Sequence, residues 1–225
     1  MIENLPAYIP LLFILTTFIT VFLFYRATKK SVWSLVIIVS WLAMQGVIGY
    51  SGFYTITNTL PPRFILLVLP PLILILSLFL TSNGRNFIDS LSMGTLTWLH
   101  AVRIPVEIVL LWLFFQKQVP QLMTFEGRNF DILAGLTAPI IAYLGYTKKM
   151  LGQKVILLWN FICIGLLFNI VILAVLSAPF AFQQLAFDQP NIGVFYFPFV
   201  WLPCCVVPIV LFSHLAVIRQ LTRKQ

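Results

Sequence analysis

Apolar residues fall along this chain in long runs of similar length, separated by short polar breaks. Seven runs, at 7–25, 32–54, 64–80, 91–115, 130–147, 155–177 and 195–219, are continuous enough to predict membrane-crossing helices. A hydrocarbon core about 30 Å thick takes roughly 20 mostly apolar residues to cross as a helix. The runs and their connections use almost the whole chain. The expected fold is therefore all-α: one polytopic domain over 1–225, with seven transmembrane helices and no room for a soluble catalytic or nucleic-acid-binding domain. The expected surroundings are a lipid bilayer, with no nucleic-acid partner.

Composition agrees with this pattern. Hydrophobic residues make up 60 % of the chain and charged ones 9 %, and the mean hydropathy is +1.00, outside the range of soluble domains. The first run follows an acidic "MIEN" rather than a basic leader and lacks a small-residue cleavage site, so it is read as a retained span. Cys163, Cys204 and Cys205 all fall inside runs and are read as packing residues, not as a disulfide framework.

Charge placement adds an orientation. Arg26, Lys29, Lys30, Arg85, Lys148, Lys149, Lys154, Arg219, Arg223 and Lys224 fall on one side of the seven-span arrangement, and only Arg63, Lys117 and Arg128 on the other. Because basic residues are retained in the cytoplasm, the N-terminus is expected outside and the C-terminus inside. The expected location is the cell membrane, the inner one in a bacterium.

Prolines 70, 71, 105, 139, 203 and 208 lie within runs and predict kinks with freed carbonyls that need partners inside the protein. The connection 178–194, rich in phenylalanine, is expected to lie in the outer interface beside an aromatic belt of Phe195, Tyr196, Phe197, Phe199 and Trp201. A short echo, "GRNF" at 84–87 and 127–130, precedes Asp89 and Asp131 respectively. Each copy is read as a helix start, with Asn and Asp as candidate caps.

The candidate chemistry is concentrated in "HAVRIPVE", residues 100–107. At ~100° per residue, His100, Arg103 and Glu107 lie within about 60° of one another, on one face of the fourth run. Arg103 is near the middle of 91–115, where exposure of a charge to lipid costs at least ~2.5–3.5 kcal/mol, so the stripe is expected to face the bundle interior. Arg103 and Glu107 are spaced to pair, and the Ala101 carbonyl, freed by Pro105, is a candidate acceptor for the guanidinium.

Asn129 and Asp131 are placed with the stripe as ligand-binding or proton-linked residues. Gln45, Tyr50, Glu126, Arg128 and Asn169 are expected to line an outward-facing polar cavity. His214, in the last run, is read as a hydrogen-bonded packing residue.

These residues predict binding or transport of a small anionic or zwitterionic solute, with Arg103 gripping a carboxylate-like group and His100 or Glu107 taking a proton. An intramembrane enzyme acting on a lipid-like substrate through His100, Glu107 and Asp131 is the alternative. A third reading, a redox protein or sensor, makes His100 and His214 axial ligands of a haem. No HExxH or GxSxG motif occurs, and two histidines do not supply a zinc-hydrolase set, so no metal site is expected. A retinal Schiff base is excluded because 195–219 holds no lysine.

Overall fold

The computed structural model describes residues 2–223, and among them it contains helices and no strand. The α-helices are α1 (Tyr8–Ala27), α2 (Val32–Tyr50), α3 (Ile65–Leu80), α4 (Ser82–Ser90), α5 (Met93–Leu99), α6 (Arg103–Phe115), α7 (Ile132–Ala142), α8 (Gln153–Leu176) and α9 (Val207–Arg223). Five helical runs are long and apolar enough to cross a membrane: α1, α2, Met93–Phe115, α8 and Leu202–Arg223. The number becomes six if α3 and α4, bent by 94° at their junction, count as one.

The expected third and fifth spans are shorter than the rest. α3 has 16 residues, and α7 with its following π turn, Tyr143–Thr147, adds 11 and 5 to the same length. At ~1.5 Å per residue such a helix covers about 24 Å, less than a typical hydrocarbon core. The seventh run also starts later than expected. Residues 193–200 form a 3-10 turn, a bend and further turns, and the continuous helix then begins with a π turn at Leu202–Val206.

Local chemistry explains most of these boundaries. Thr81 caps α4 by accepting from the Gly84 N–H at 3.2 Å, and only Gly84 and Ile88 of that helix are buried. α4 is therefore a polar helix turned sharply away from α3, and the first "GRNF" lies inside it rather than ahead of a span. Ser92 caps α5 through the Thr95 N–H. Between α5 and α6 the chain narrows to a 3-10 turn at His100–Val102, where the Arg103 N–H bonds back to His100. The Pro105 ring cannot sit under a regular i−4 carbonyl, and the tightened turn just before it takes up that conflict.

The helices gather into two unlike ends. At the basic end the Ser92 N–H donates to the Ala27 carbonyl at 3.0 Å, the Gln220 amide to the Ile88 carbonyl at 2.8 Å, and Arg219 and Arg223 both pair with Asp89. At the opposite end two long connections, 116–131 and 177–201, are folded against each other. The Ile192 and Gly193 N–H groups donate to the Gln118 carbonyl at 3.0 and 2.8 Å, and Gln189 donates to Phe114 and Val119 carbonyls.

The second of these connections differs from its expected interfacial belt. Phe180, Phe195, Phe199 and Trp201 are buried within the protein, with Phe180 stacked on Phe64 at 4.8 Å. An aromatic ring gains more from a close-packed protein neighbour than from a headgroup layer when a loop is tied down by its own backbone bonds. The outer faces of α1, α2, α3 and α8, by contrast, expose large apolar side chains such as Phe18, Trp33, Ile73 and Phe161, as a membrane environment requires.

Candidate functional site

Four helices bring polar side chains to one place in the bundle. The α5–α6 run supplies His100, Arg103 and Glu107; Asp131 stands at the start of α7; α8 contributes Trp159 and Asn160; α9 contributes His214. α7 comes close enough because Gly135 faces α6: a Cβ there would meet Ile104 at 3.0 Å and the Cβ of Arg103 at 3.2 Å. That approach sets Asp131, one turn earlier on α7, within reach of the arginine.

Arg103 is 3 % exposed, and its guanidinium is held from several sides. Nη1 donates to Asp131 Oδ1 at 2.8 Å and to the Cys163 carbonyl at 3.5 Å, while Nη2 lies 2.9 Å from His214 Nε2. His214 is fixed in turn by Asn160, whose Oδ1 is 2.8 Å from Nδ1, and the Asn160 amide donates to the Ile156 carbonyl. With Arg103 as a donor only, His214 Nε2 accepts and Nδ1 carries the hydrogen that Asn160 accepts.

The expected Arg103–Glu107 pair does not form, and the guanidinium uses the Cys163 carbonyl rather than that of Ala101. Asp131 out-competes Glu107 because it approaches from a separate helix, with no need to bend a side chain back along its own. Glu107 is instead held by Asn129, whose amide lies 2.7 Å from both carboxylate oxygens and also donates to the Met123 carbonyl. Asn129 Oδ1 accepts from the Asp131 N–H, so this asparagine joins the two carboxylate residues. Neither Asn nor Asp of the second "GRNF" caps α7 with its side chain; the Asp131 carboxylate is spent on Arg103.

His100 is fully buried and has no hydrogen bond at either ring nitrogen. Its ring stacks on His214 with centroids 3.7 Å apart and planes 13° from parallel, and Trp159 stands edge-on to it at 5.6 Å. Axial ligation of one haem needs the two rings on opposite sides of a macrocycle, whereas here they lie directly against each other. Among the described residues, no three His, Cys, Asp or Glu side chains group as metal ligands. Arg103 Nε is the third unpaired polar atom of the cluster.

The mouth expected above Glu107 is filled. Met123, Thr124 and Asn129 of the 116–131 connection are buried, and they lie at the level of Glu107, two turns inside the Phe115 end of α6. Two cavities, of about 800 and 150 Å³, lie elsewhere, and neither is lined by His100, Arg103, Glu107 or Asp131.

Of the other expected lining residues, none joins the cluster. Gln45 is buried but accepts from the Tyr54 hydroxyl at 2.5 Å. Tyr50 is 65 % exposed and touches Phe197. Glu126 and Arg128 are exposed, and Asn169 donates to the Arg128 carbonyl.

His214, read from the sequence as a packing residue, and Asn160, which nothing in the sequence singled out, are both members of the cluster. Their depth was the available signal. His100 and Asn160 are each the eighth residue from the basic-end start of their helices, and His214 is the tenth from the end of α9.

Residues 60–222 match a family described as a domain of unknown function, DUF8737. The chain belongs to that family. Every member of the polar cluster lies within the matched residues, whereas α1 and α2, with Gln45 and Tyr50, precede them. No curated protein and no solved structure matches the chain.

Proposed function

We propose that this is a seven-span membrane protein, N-terminus outside, that binds and carries a small anionic or zwitterionic solute together with a proton, and that the polar cluster is its binding centre in a closed state. The reading of seven spans counts α3 and the α7 run as short crossings. It is supported by the gathering of Arg26, Lys29, Lys30, Arg85, Lys148, Lys149 and Lys154 at one end.

The observation that carries the functional reading is the set of unpaired buried atoms: His100 Nδ1 and Nε2 and Arg103 Nε. Each such group left without a partner costs about 1–3 kcal/mol, so a fully buried site with three of them favours a polar guest. Arg103 offers the solute a free N–H on a guanidinium already oriented by Asp131 and His214, and a carboxylate matches that fork.

Charge balance gives the proton its role. Arg103 and Asp131 cancel, so an incoming carboxylate brings an unpaired negative charge into a water-excluded centre unless a proton enters with it. Glu107 and His100 are the groups of the cluster assigned to take up the proton, since both nitrogens of His214 are already engaged. Entry of the solute further requires the Met123–Asn129 segment to withdraw from Glu107.

The test uses proteoliposomes of the full chain loaded with a pH-reporting dye and exposed to a panel of carboxylates and amino acids. At least one member is expected to drive proton uptake in wild type and none in Arg103→Lys, which keeps the charge and loses the fork. A wild-type protein that moves no protons with any member, or Arg103→Lys protein that transports unchanged, overturns the reading.

A further inference from the structure

α2 packs on α1 and on the π turn of the last helix, and α3 packs on α4 and the same π turn, but α2 and α3 leave a space of about 800 Å³ between them. This groove is walled by Trp41, Pro71, Pro208 and Phe212 and is open along one side, since Trp33, Ile37 and Met44 line it and are themselves exposed. Its size is that of a ligand site, ~300–1,000 Å³. No member of the Arg103 cluster lines it.

One end of the groove is polar. Ser31 and Ser34 line it there, with the Ser34 hydroxyl donating to Ser31 Oγ at 3.2 Å, and the chain immediately before them is "RATKK". Arg26, Lys29 and Lys30 are exposed and make no ion pair among the described residues. Asp89, the carboxylate at this end of the bundle, is already taken by Arg219 and Arg223. Lys29 and Lys30 both have left-handed backbone, at φ 55° and 65°, which folds the connection into a tight turn carrying both ammonium groups at its tip.

We propose that the α2–α3 groove is a binding site for one phospholipid with an anionic headgroup: an acyl chain lies along the apolar walls and the phosphate sits at Lys29, Lys30 and the Ser31–Ser34 hydroxyls. The charge pattern selects this occupant over a second copy of the chain. A copy inserted with the same orientation would bring its own "RATKK" turn to the same depth, cation against cation. A zwitterionic lipid fills the apolar part equally well but leaves the basic turn unmatched. Each juxtamembrane lysine contributes enough attraction to an anionic lipid surface that two of them make a preference of roughly tenfold or more.

The experiment is native mass spectrometry of the full chain from micelles holding equal amounts of phosphatidylglycerol and phosphatidylcholine, together with tryptophan quenching in nanodiscs containing either lipid with brominated chains. One phosphatidylglycerol is expected to stay with each chain, about tenfold over phosphatidylcholine. Brominated phosphatidylglycerol is expected to quench the emission that is missing from a Trp33→Phe/Trp41→Phe variant. In Lys29→Asn/Lys30→Asn, where asparagine suits the left-handed backbone, the preference is expected to fall to near parity while quenching by either lipid persists. Equal retention of the two lipids by wild type, retention of neither, or a dimer in which these tryptophans are shielded from brominated chains overturns the proposal.

Discussion

Asp89 and Asp131 each follow a copy of Gly-Arg-Asn-Phe, and each holds an arginine from a helix far away in sequence, but one does so at the surface and the other inside the bundle. Asp89 pairs with Arg219, at 3.1 Å, and with Arg223 where side chains are open to solvent; Asp131 pairs with Arg103 at 2.8 Å where both are nearly sealed from it. A shared local sequence has met two dielectric settings. In water the pair is one of many equivalent arrangements of mobile charges; in the interior each partner is held in place because leaving the other alone is costly.

The largest effect expected from this difference is on folding stability. Asp131→Ala should lose about 3–5 kcal/mol, because it strands Arg103 in a dry interior. Chemical denaturation of the purified protein in mixed micelles, with helix content by circular dichroism as readout, measures it. A loss no greater than that of Asp89→Ala would mean that water reaches Arg103 freely, and the contrast between the two aspartates would collapse.

The glycines of the two copies, unlike the aspartates, do the same work. A Cβ on Gly84 would fall onto the carbonyl oxygen of Leu78, and one on Gly127 onto that of Gln121, in each case six residues upstream. Gly84→Ala and Gly127→Ala should therefore each cost roughly 1–3 kcal/mol and lie close together, since both force backbone apart rather than expose a charge. Thermal unfolding of the two variants side by side checks this; a clear inequality would show that the echo is one of letters only.

Part of this arrangement is legible in the chain and part is not. The stripe of His100, Arg103 and Glu107 follows from helical spacing, and its inward direction follows from the cost of showing a charge to lipid. Asp131 is placed with the stripe, but its pairing with Arg103 and the arrival of Asn160 and His214 do not follow, because they depend on tertiary approach, which one sequence does not encode at any fixed spacing. The late start of α7 has the same origin. The stretch 130–147 reads as a continuous apolar run, yet Asn129 and Asp131 are drawn to Glu107 and Arg103 at the expense of a longer helix. Pro105 was readable as a conflict but not in its form, a narrowed turn at His100–Val102.

His100 sharpens the comparison from inside the buried region, because it is the member of the cluster that is neither paired nor charged against a partner. Replacing it with phenylalanine keeps the stack on His214 and removes two unpaired nitrogens. Because the larger ring must be packed into a full interior, which offsets most of that gain, the empty protein should be unchanged or more stable by up to about 1 kcal/mol, read as a rise in the unfolding midpoint. Solute-driven proton uptake should fall at the same time. A stability loss comparable to that of Asp131→Ala would instead make His100 a structural member of the ion network.

The smallest effect belongs to Asp89, and salt separates it from everything above. With the carboxylate 20 % exposed and its two arginines 25 % and 63 % exposed, Asp89→Ala should cost no more than ~1 kcal/mol at low ionic strength. That cost should disappear toward 1 M salt, where the screening length is roughly 3 Å and comparable to the pair distance itself. The Asp131→Ala deficit should persist over the same range, because in the closed, solute-free protein Arg103 and Asp131 are buried and screened far less than surface charges. Matched denaturation curves at low and high salt for the two variants give the result as a difference of differences, so any general effect of salt on micelle or helix cancels. A salt-insensitive Asp89 deficit would show that this end of the bundle is covered, and that α4 and α9 meet under something other than water.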